Sequence, residues 1–400
     1  MTETITVRIV RSVAEVEELR ECWSSWQNQP VSDIDMYLAM LRSRPEILRP
    51  HIILFSRDGR PDAMLVGILQ KVRMPFRFGY WKFLAPRARV LGFAYGGLLG
   101  NQSAENAESV VSELVKCLRQ NEAEAVVLHN IRTDSPLYST ALRLPGPLRR
   151  DRMPQVDTHC SMVLPSRFEE VEQALSREHR KDIRRMARKL TDDSRGDVRV
   201  RRFSTVADLP EMIERVEEVA KETYQRALGV GFIKNSATIA RLSLCAHQGH
   251  LRTYVLFVSG KPCAFAVGTL YLATYHTDYL GYSPTYAKYS PGTFLFMNIL
   301  RDLCADGVQA VDFGYGDEMY KQRFGNFRWE EGRLHLFSTT PRGICLNVLR
   351  TSSTFLDAIA RRSLRRFALF TALKTKWRKA LKDRQAATVK RPSEAAGTPA

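Results

Sequence analysis

The sequence predicts an α/β protein, in the broad α+β sense, with two tandem domains and a basic C-terminal helical tail. Each domain is expected to be a mixed, mostly antiparallel sheet flanked by helices. Three observations predict this fold. A chain of 400 residues is too long for one ordinary core and fits two domains. A hairpin pattern in residues 51–69 returns in residues 253–270. After each hairpin, a glycine-containing loop, a helix and a short apolar strand follow in the same order.

The two hairpins align at a constant separation of 201 residues. When Gly59 is set on Gly260, six further positions match, namely Arg60 with Lys261, Pro61 with Pro262, Ala63 with Ala264, Val66 with Val267, Gly67 with Gly268 and Leu69 with Leu270. Leu54-Phe55 matches Leu256-Phe257 after a shift of one residue. Matches at one separation favour an internal repeat. The first copy has no counterpart of the glycine turn near 314–316, so chemistry is expected in the second.

The first domain is predicted to span residues 1–150. Its expected elements, in order, are a strand at 4–10, a helix at 13–26 capped by Ser12, a hairpin with Asp58-Gly59 at its turn, a helix at 103–120 and a buried strand at 124–129. Residues 136–154, rich in Pro, Arg and Leu, are interpreted as the connection to the second domain.

The second domain is predicted to span residues 155–342. Its expected elements are a strand at 158–164, helices at 168–190, 207–227 and 233–247, the second hairpin, a strand ending near Leu280, a loop to Gly292, a helix at 293–305, a strand at 309–313, a glycine turn and a last helical turn at 317–324. Asp312 is expected to anchor the glycine turn.

The start of the helix at 293–305 is a candidate anion site. Its first backbone N–H groups lack helical acceptors, and the positive end of the helix dipole favours a phosphate or carboxylate. Gly292 would let a ligand approach the backbone, and Ser290 and Thr293 carry hydroxyl groups that form hydrogen bonds. The alternative is that this Ser-Pro-Gly-Thr sequence is only a helix N-cap with proline in the first turn.

A family resemblance rests on a set of short motifs between residues 168 and 340: Tyr282-Ser283-Pro284, Tyr289-Ser290-Pro291-Gly292-Thr293, Asp312-Phe313-Gly314, Gly316-Asp317-Glu318 and Tyr320-Lys321. These resemble the CelD/BcsL-like acetyltransferases of bacterial polysaccharide synthesis, a GNAT-type group related to FemAB peptidyltransferases. The resemblance implies tandem GNAT-like domains and acetyl-CoA, or another acyl-CoA, as co-substrate. One departure is a single glycine, Gly292, where the usual GNAT phosphate loop has spaced glycines.

The resemblance also implies site residues. Tyr289, Ser290, Gly292 and Thr293 would bind the acyl-CoA. Tyr320 would protonate the leaving thiolate, with Tyr315 as the second choice. Asp317, Lys321 and Arg323 would contact the acceptor; Asp317 is otherwise a helix N-cap, and the two cations are otherwise simply exposed.

The strand before the loop supplies a candidate base. In residues 275–279, alternation places His276 and Asp278 on one face. Acyl transfer needs a group that relieves the acceptor of a proton, and a histidine beside a carboxylate suits that task. The alternative is a cross-strand hydrogen-bonded pair. No nucleophile triad is recognisable in the sequence, which favours direct transfer.

The net charge of +17 is concentrated in two segments. Residues 177–202 carry +6 and residues 346–400 carry +10. The first segment includes a helix whose basic face favours a polyanion, whether CoA phosphates, an acidic sugar polymer, anionic lipid or tRNA, or is simply solvated. In the second, residues 343–384 are predicted to form a basic amphipathic helical segment that lies on an anionic membrane or docks on the first domain. Residues 385–400 are expected to be disordered.

Other function classes are disfavoured. No secretory signal and no apolar run of membrane-spanning length is visible, so a cytoplasmic protein is expected. Seven scattered cysteines predict reduced thiols, and Cys245, His247 and His250 lack a fourth ligand, so no metal is expected. The P-loop motif of nucleotide-binding proteins, G-x-x-x-x-G-K-[ST], and the dinucleotide-binding motif, G-x-G-x-x-G, are missing. DNA is not an expected partner. Two alternatives to the acyl-CoA enzyme stay open: a FemAB-like transferase that uses aminoacyl-tRNA, and a non-catalytic scaffold at the membrane surface.

Overall fold

The computed structural model describes residues 5–78, 81–227, 231–316 and 318–366. The chain forms two compact units. The first comprises Met1–Val163, Ile239–Leu244 and Val311–Ile359, and the second comprises Leu164–Thr238, Cys245–Ala310 and Ala360–Ala400. A mixed sheet flanked by helices confirms the predicted fold class. The domain limits inferred from the sequence stay a prediction.

Fourteen strands are formed by the described residues. They are β1 (Ile5–Val10), β2 (Ile47–Arg57), β3 (Arg60–Arg73), β4 (Phe76–Phe78), β5 (Trp81–Leu84), β6 (Arg87–Gly100), β7 (Ala125–Arg132), β8 (Gln155–Val163), β9 (Val198–Phe203), β10 (Leu251–Val258), β11 (Lys261–Tyr271), β12 (Thr274–Tyr282), β13 (Ala310–Tyr315) and β14 (Phe327–Phe337).

The helices of the described residues are α1 (Val13–Glu18), α2 (Arg20–Trp26), α3 (Ile34–Ser43), α4 (Ala104–Arg119), α5 (Pro136–Arg143), α6 (Phe168–Ala174), α7 (Arg177–Asp193), α8 (Leu209–Ala220), α9 (Tyr224–Ala227), α10 (Ser236–His247), α11 (Pro291–Ala305), α12 (Met319–Phe324) and α13 (Pro341–Arg366). Two 3-10 helices lie at Pro30–Ser32 and Pro284–Tyr289. None of the helices in this part of the chain has the length and apolar character that crossing a bilayer requires.

The first unit contains a sheet in the order β1-β2-β3-β6-β7-β14-β8-β13. β6 and β7 are parallel and joined by α4, whereas β2–β3, β3–β6, β7–β14 and β14–β8 are antiparallel. Alternate residues of β2 enter different cores: Ile53 packs with α4, and Ile52 packs with α1 to α3. Because successive strand residues point to opposite faces, helices cover both sides of the sheet.

The second unit contains the antiparallel strands β12-β11-β10-β9. α8 and α11 both pack against β11. Residues 262–269 of β11 are all buried, and the next residue, Leu270, is half-buried. A strand buried along its length has helices on both faces, so this unit repeats the layered arrangement of the first.

The two hairpins have the same backbone design. In β2–β3, Phe55 pairs with Ala63 and Ser56 with Pro61, which leaves a bulge at Asp62. The β10–β11 hairpin has the same bulge 201 positions later, at Cys263. In the second hairpin Leu256, not Phe257, pairs with Ala264, the counterpart of Ala63. The shift of one residue proposed for Leu54-Phe55 is therefore wrong, since the register carries the 201-residue separation through the strand.

Both turns also share their conformation. Asp58 and Gly59 have φ of 48° and 79°, and Ser259 and Gly260 have φ of 50° and 72°. Positive φ at both central residues is the type I′ arrangement that suits the twist of a two-residue hairpin. The Asp-Gly signal in the first copy thus predicted the turn correctly.

Four predicted elements differ in the structure. The expected helix at 13–26 is divided at Leu19 into α1 and α2. The expected helix at 168–190 is two helices, α6 and α7, because the chain is extended at Leu175 and Ser176 and the Ser176 hydroxyl caps α7 by accepting from the His179 N–H. The expected helix at 207–227 is likewise divided into α8 and α9. The connection at 136–154 contains a helix, α5, which Ser135 caps.

The C-terminal helix α13 docks by its first half. Leu346 is buried with Phe337, and Asn347 donates to the Leu148 carbonyl. Arg350 and His335 both contact Asp151 Oδ2 at 3.2 Å. Docking on the first unit is therefore observed for this part of the predicted basic segment. Residues from 367 onward, including the predicted disordered tail, lie outside the described residues.

Burial governs the charges at this docking site. Burial, the larger influence, lowers the pKa of His335 to about 4, so the ring is neutral at pH 7. Burial disfavours ionisation of Asp151, but the His335 and Arg350 contacts hold its pKa below the usual range. The charge that balances the Asp151 carboxylate is therefore Arg350.

We expect Asp151→Ala to lower the free energy of unfolding by about 3–5 kcal/mol, because it leaves a largely buried guanidinium without its partner. Urea unfolding followed by circular dichroism measures the loss. The matched control is Glu108→Ala, which also breaks one arginine pair, but at side chains that are 54% and 72% exposed. The control should cost less than about 1 kcal/mol. Equal losses in the two variants would contradict this account of the docking.

Candidate functional site

The predicted acyl-CoA phosphate site comprises residues 289–293 at the start of α11 in the second unit. We call this segment the phosphate loop. Ser290 has left-handed backbone angles, φ 52° and ψ 52°, and its side chain does not cap the helix. The Ser290 carbonyl accepts from the N–H groups of Thr293 and Phe294 at 3.0 and 3.2 Å. The Gly292 N–H has no acceptor among the described residues. Ser290 therefore stands at the N-cap position with Pro291 in the first turn, as the alternative predicted, although its hydroxyl forms no capping hydrogen bond.

Gly292 is open to a ligand. A Cβ atom added there would have one neighbour within 4 Å, Tyr282 Cδ1 at 3.7 Å, and its backbone is an ordinary helical one. The residue thus combines an available donor, space in front of it and the positive end of a 15-residue helix.

Tyr289 holds the loop against α7. Its hydroxyl donates to Asp193 Oδ2 at 2.7 Å. Two ammonium groups lie near its ring, Lys288 Nζ at 4.7 Å and Lys189 Nζ at 6.0 Å from the centroid. The loop residues therefore lie in a cationic neighbourhood, which together with the Gly292 N–H fits a phosphate group of the kind that acyl-CoA carries.

His276 and Asp278 lie in β12 of the same unit. Val267 pairs with Tyr279 and Gly268 with Thr277, so a bulge leaves Asp278 without a Cα partner in β11. His276 is half-buried opposite Thr269, and the exposed Asp278 accepts a hydrogen bond from Thr269 Oγ1 at 2.9 Å. Both residues are thus neighbours of Thr269. A cross-strand hydrogen bond is present, and the role of a base stays a prediction.

The glycine turn, residues 314–316, lies at the C-terminal end of β13 in the first unit. Gly314 and Gly316 have φ of 67° and 118°, values that side-chain-bearing residues rarely adopt. Asp312 Oδ1 accepts from the Gly314 N–H at 2.7 Å, which confirms that Asp312 anchors the turn. The Gly316 N–H donates to the Thr158 carbonyl at 2.9 Å.

Lys321 also holds this turn. It is buried, and its ammonium donates to the Tyr315 carbonyl at 2.6 Å and pairs with Glu318 at 3.1 Å. The Tyr315 side chain, by contrast, is 55% exposed. The turn therefore has a fixed backbone and an outward-facing tyrosine.

The other predicted residues of this region lie in or next to α12. Tyr320 is half-buried, with its ring edge-on to Phe313 at 6.0 Å between centroids. Arg323 is half-buried in the last turn of α12. Glu318 stands at the N-cap position, and Asp317, which was predicted there, lies outside the described residues. Tyr320, Lys321 and Arg323 belong to the first unit, and His276, Asp278 and the phosphate loop belong to the second.

A buried histidine between two carboxylates lies directly behind the glycine turn. His159 in β8 contacts Asp312 Oδ1 through Nε2 at 2.7 Å and Glu331 Oε1 through Nδ1 at 2.9 Å. Its ring stacks on Trp329 at 4.2 Å, and the Trp329 indole N–H donates to Glu331 Oε1 at 2.6 Å. We call Asp312, His159 and Glu331 the acid–imidazole–acid chain.

The acid–imidazole–acid chain is accessible to water at its Asp312 end. The side chain of Asp312 is 16% exposed, that of His159 is 3% exposed and that of Glu331 is fully buried. Burial opposes a charge on His159, but the hydrogen bonds and charges of Asp312 and Glu331 outweigh it and raise the pKa of His159 to about 9. The ring is therefore an imidazolium at neutral pH.

Sequence reasoning missed His159, Glu331 and Trp329. The available signal was polar residues within two otherwise apolar strands. The contact itself depends on strand register, because His159 is paired with Trp329 and lies diagonally from Glu331 across β8 and β14. A single sequence does not specify that pairing.

One group of possible metal ligands lies elsewhere in the first unit: His51, Cys117 and Glu122 have ligand atoms within 4.8 Å of one another. Arg11 and Arg49 already pair with Glu122 at 2.7 and 2.6 Å. Two guanidinium groups on the only carboxylate of the group disfavour a cation there.

Comparisons with known proteins bear on these sites. Residues 177–322 match the family model described as Acetyltransferase (GNAT) domain. The matched region contains the phosphate loop, the glycine turn and most of α12. The match covers fewer than half of the 400 residues, and it supports an acyltransferase. No curated protein sequence matches the chain.

Several solved structures are similar to the chain. FemX is 11% identical over 87% of this chain and 100% of its own, with a TM-score of 0.56. The C-terminal domain (DUF2156) of a putative lysylphosphatidylglycerol synthetase from Agrobacterium fabrum is 13% identical over 84% and 96%, with a TM-score of 0.47. A tandem GNAT protein from the clavulanic acid biosynthesis pathway is 8% identical over 84% and 99%, with a TM-score of 0.45. The likeness to FemX shows the fold alone.

The stability of the protein should depend on pH through His159. Its pKa is raised from 6.5 to about 9 on folding, so its contribution is complete below pH 6.5 and is lost as the pH rises through 9. We expect wild type to lose about 3 kcal/mol of unfolding free energy more than His159→Gln between pH 6.5 and 9.5. Urea unfolding of both proteins measures this difference, in which the titration of lysines and tyrosines cancels. Parallel pH profiles would show that His159 is not charged in the folded protein.

Proposed function

We propose that the chain is an acyl-CoA-dependent N- or O-acyltransferase, in the first instance an acetyltransferase, acting on a sugar or another precursor of the cell envelope or of an exopolysaccharide. The observation that carries the proposal is the GNAT-domain match over residues 177–322. The open Gly292 N–H and the two lysines beside Tyr289 support an acyl-CoA phosphate site within it.

The proposed roles rest on the family resemblance and on the chemistry of the side chains. Acetyl-CoA would supply the activated acyl group as a thioester. The N–H of Gly292 and the hydroxyl groups of Ser290 and Thr293 hold its phosphates. His276 takes a proton from the acceptor, with Asp278 as its charge-stabilising partner. Tyr320 gives a proton to the leaving thiolate, and transfer is direct.

The acceptor side is assigned to the segment after the glycine turn. Arg323, half-buried in α12, is the proposed contact for an acidic acceptor group. Asp317 is proposed as a second acceptor contact. Because the Lys321 ammonium is buried on the Tyr315 carbonyl and Glu318, its part in acceptor binding is to hold the turn. A sugar substrate agrees with the polar character of these groups.

We further propose that the chain belongs to the CelD/BcsL-like group and works in the cytoplasm, at the inner face of the membrane. Support comes from the second half of α13, where Phe355, Leu356 and Ile359 are 54%, 51% and 47% exposed. The sequence that follows is rich in arginine and lysine. Apolar residues beside a basic segment favour the surface of an anionic bilayer.

Gly292→Val tests the phosphate loop. The added side chain occupies the space in front of the Gly292 N–H, so we expect the affinity for acetyl-CoA to fall at least about tenfold, the equivalent of one hydrogen bond to a charged group. Isothermal titration calorimetry measures it. The fold should be retained, because an added Cβ meets no atom closer than 3.7 Å.

The matched control for that substitution is Gly146→Val in the first unit, another glycine whose Cβ would meet no atom within 4 Å. It should leave acetyl-CoA binding unchanged. If Gly292→Val binds acetyl-CoA as tightly as the control does, the phosphates lie elsewhere and the loop assignment is wrong.

A second candidate function is aminoacyl transfer from tRNA, favoured by α7. Arg177, Lys181, Arg184 and Arg188 recur at intervals of four, three and four residues, which places them on one helix face, and all four are exposed. At a rise of 1.5 Å per residue this stripe is about 16 Å long, enough for several phosphates of one strand. Arg177, Lys181 and Arg188 form no ion pair with the described residues.

Charge reversal at Arg177, Lys181 and Arg188 tests the second candidate. If tRNA binds here, the triple glutamate variant should lose tRNA affinity, and its log–log salt slope should fall by about 2–3, close to one per lost phosphate contact. Fluorescence anisotropy between 50 and 200 mM salt measures both effects. The control reverses three exposed cations of the first unit, Arg42, Arg44 and Arg60, for the same change in net charge. Equal effects would indicate non-specific attraction only.

A further inference from the structure

The backbone of the glycine turn is bound from both sides. Asp312 holds the Gly314 N–H, the Thr158 carbonyl holds the Gly316 N–H, and Lys321 holds the Tyr315 carbonyl. The first of these contacts depends on the orientation of the Asp312 carboxylate, and His159 contacts the same oxygen, Oδ1, at 2.7 Å. His159 therefore acts on the turn through Asp312.

We propose that His159 is a positioning residue for the acyl-transfer reaction: as an imidazolium between Asp312 and Glu331, it fixes the glycine turn that carries Tyr315 and leads into the helix of Tyr320. The proposal rests on the acyltransferase function proposed above. It assigns no proton transfer with substrate to His159, because the ring lies behind the turn and is only 3% exposed.

The chemistry of the ring makes the charge a requirement. A neutral imidazole has one N–H and one lone pair, so it donates to one carboxylate only. Its lone pair would then face an oxygen of the other carboxylate at 2.7 or 2.9 Å, which is repulsive. Between two ionised carboxylates, both contacts exist together only while the ring carries two protons.

Loss of one proton should release Asp312 and not Glu331. The Glu331 carboxylate is fully buried, where Oε1 accepts from Trp329 and Oε2 accepts from Asn130 at 3.2 Å. Moving it would break these bonds at a carboxylate that has no exposed surface. Asp312 is reached by water, which lowers the cost of its rotation away from the ring. Deprotonation of His159 should therefore act on Asp312, and through it on the glycine turn.

Among the described residues, the charged groups that face His159 come from three strands. Asp312 lies on β13 and Glu331 on β14, and both favour the imidazolium. From β7, Arg132 lies 5.8 Å from the Trp329 ring that stacks on His159, and its charge is shared with Asp134 at 2.7 Å. The two carboxylates in direct contact therefore dominate the proton affinity of the ring.

The test uses Glu331→Gln, which keeps the size of the side chain and an oxygen for the Trp329 and His159 donors but removes one of the two negative charges. In 15N-labelled protein, the ring signals of His159 should titrate near pH 9 in wild type and at least one pH unit lower in the variant. The amide signal of Gly314 should follow the same midpoint in each protein, because its acceptor is Asp312. Glycine amides do not titrate themselves, so this signal reports the contact.

The reaction supplies the second measurement. Thiol release from acetyl-CoA is followed with a panel of amino sugars across pH 6–10. We expect the alkaline fall of kcat to move to lower pH by the same interval in Glu331→Gln, with kcat at pH 6.5 within about threefold of wild type. His159→Gln should lower kcat by about 10- to 100-fold at every pH, the cost of a misplaced group, with the dissociation constant for acetyl-CoA within threefold.

The control is Glu330→Gln, the exposed neighbour on the same strand. It should leave both pH profiles unchanged. The proposal is overturned if the Gly314 amide does not follow the His159 titration, or if Glu331→Gln titrates at the wild-type midpoint. A kcat profile that stays in place while the His159 midpoint moves also overturns it, because the histidine would then be structural only.

Failure of the proposed function gives a different result. A wild-type protein that neither binds acetyl-CoA nor releases thiol with any acceptor contradicts the acyl-CoA function. The nuclear magnetic resonance measurements do not depend on turnover, and in that case they alone decide whether His159 controls the glycine turn.

Discussion

Each half of the chain depends on an aromatic ring lying over a glycine of the hairpin. In the first unit a Cβ at Gly67 would come within 2.3 Å of the Phe93 ring, and in the second a Cβ at Gly268 would come within 2.4 Å of the Tyr275 ring. Both contacts lie beside a register shift in the strand pairing. No side chain fits under either ring, so the glycine is a steric requirement. Each ring belongs to the neighbouring strand, Phe93 to β6 and Tyr275 to β12, so the glycine allows close approach of the two strands.

This constraint explains why the repeat was visible in the sequence. Gly67 and Gly268 were among the aligned positions, together with the glycine of the I′ turn and the proline next to the bulge. Each of these positions is restricted by backbone geometry, which acts within a few residues. Helix breaks were less predictable, because Ser176 interrupts a continuous amphipathic pattern only by capping α7. The docking of α13 depends on Asp151 and His335, which are distant in sequence.

The same distinction applies to the candidate sites. The loop at Tyr289 to Thr293 and the turn anchored by Asp312 are local motifs, and residue type and spacing sufficed to place them. The partner of Asp312 is not local. His159 reaches it only because β8 lies between β13 and β14 in the sheet, an order that the chain sequence does not follow. The bulge at Asp278 is another example, since alternation alone gives no sign of where a strand gains an extra residue.

Two histidines of the first unit show how one neighbour sets a protonation state. His335 and His159 are both buried and each contacts an aspartate, yet the pKa of the first is about 4 and that of the second about 9. The two clusters differ in their third residue. In the His335 cluster, Arg350 balances the charge of Asp151. In the His159 cluster, the third residue is a second carboxylate, Glu331. Well-packed apolar residues often replace a buried ionic group at no cost or with a gain of about 1–4 kcal/mol, so stability alone does not explain two acids around one histidine. Apolar residues would not supply a hydrogen-bond acceptor for the Gly314 N–H. The acid–imidazole–acid chain supplies that acceptor through Asp312.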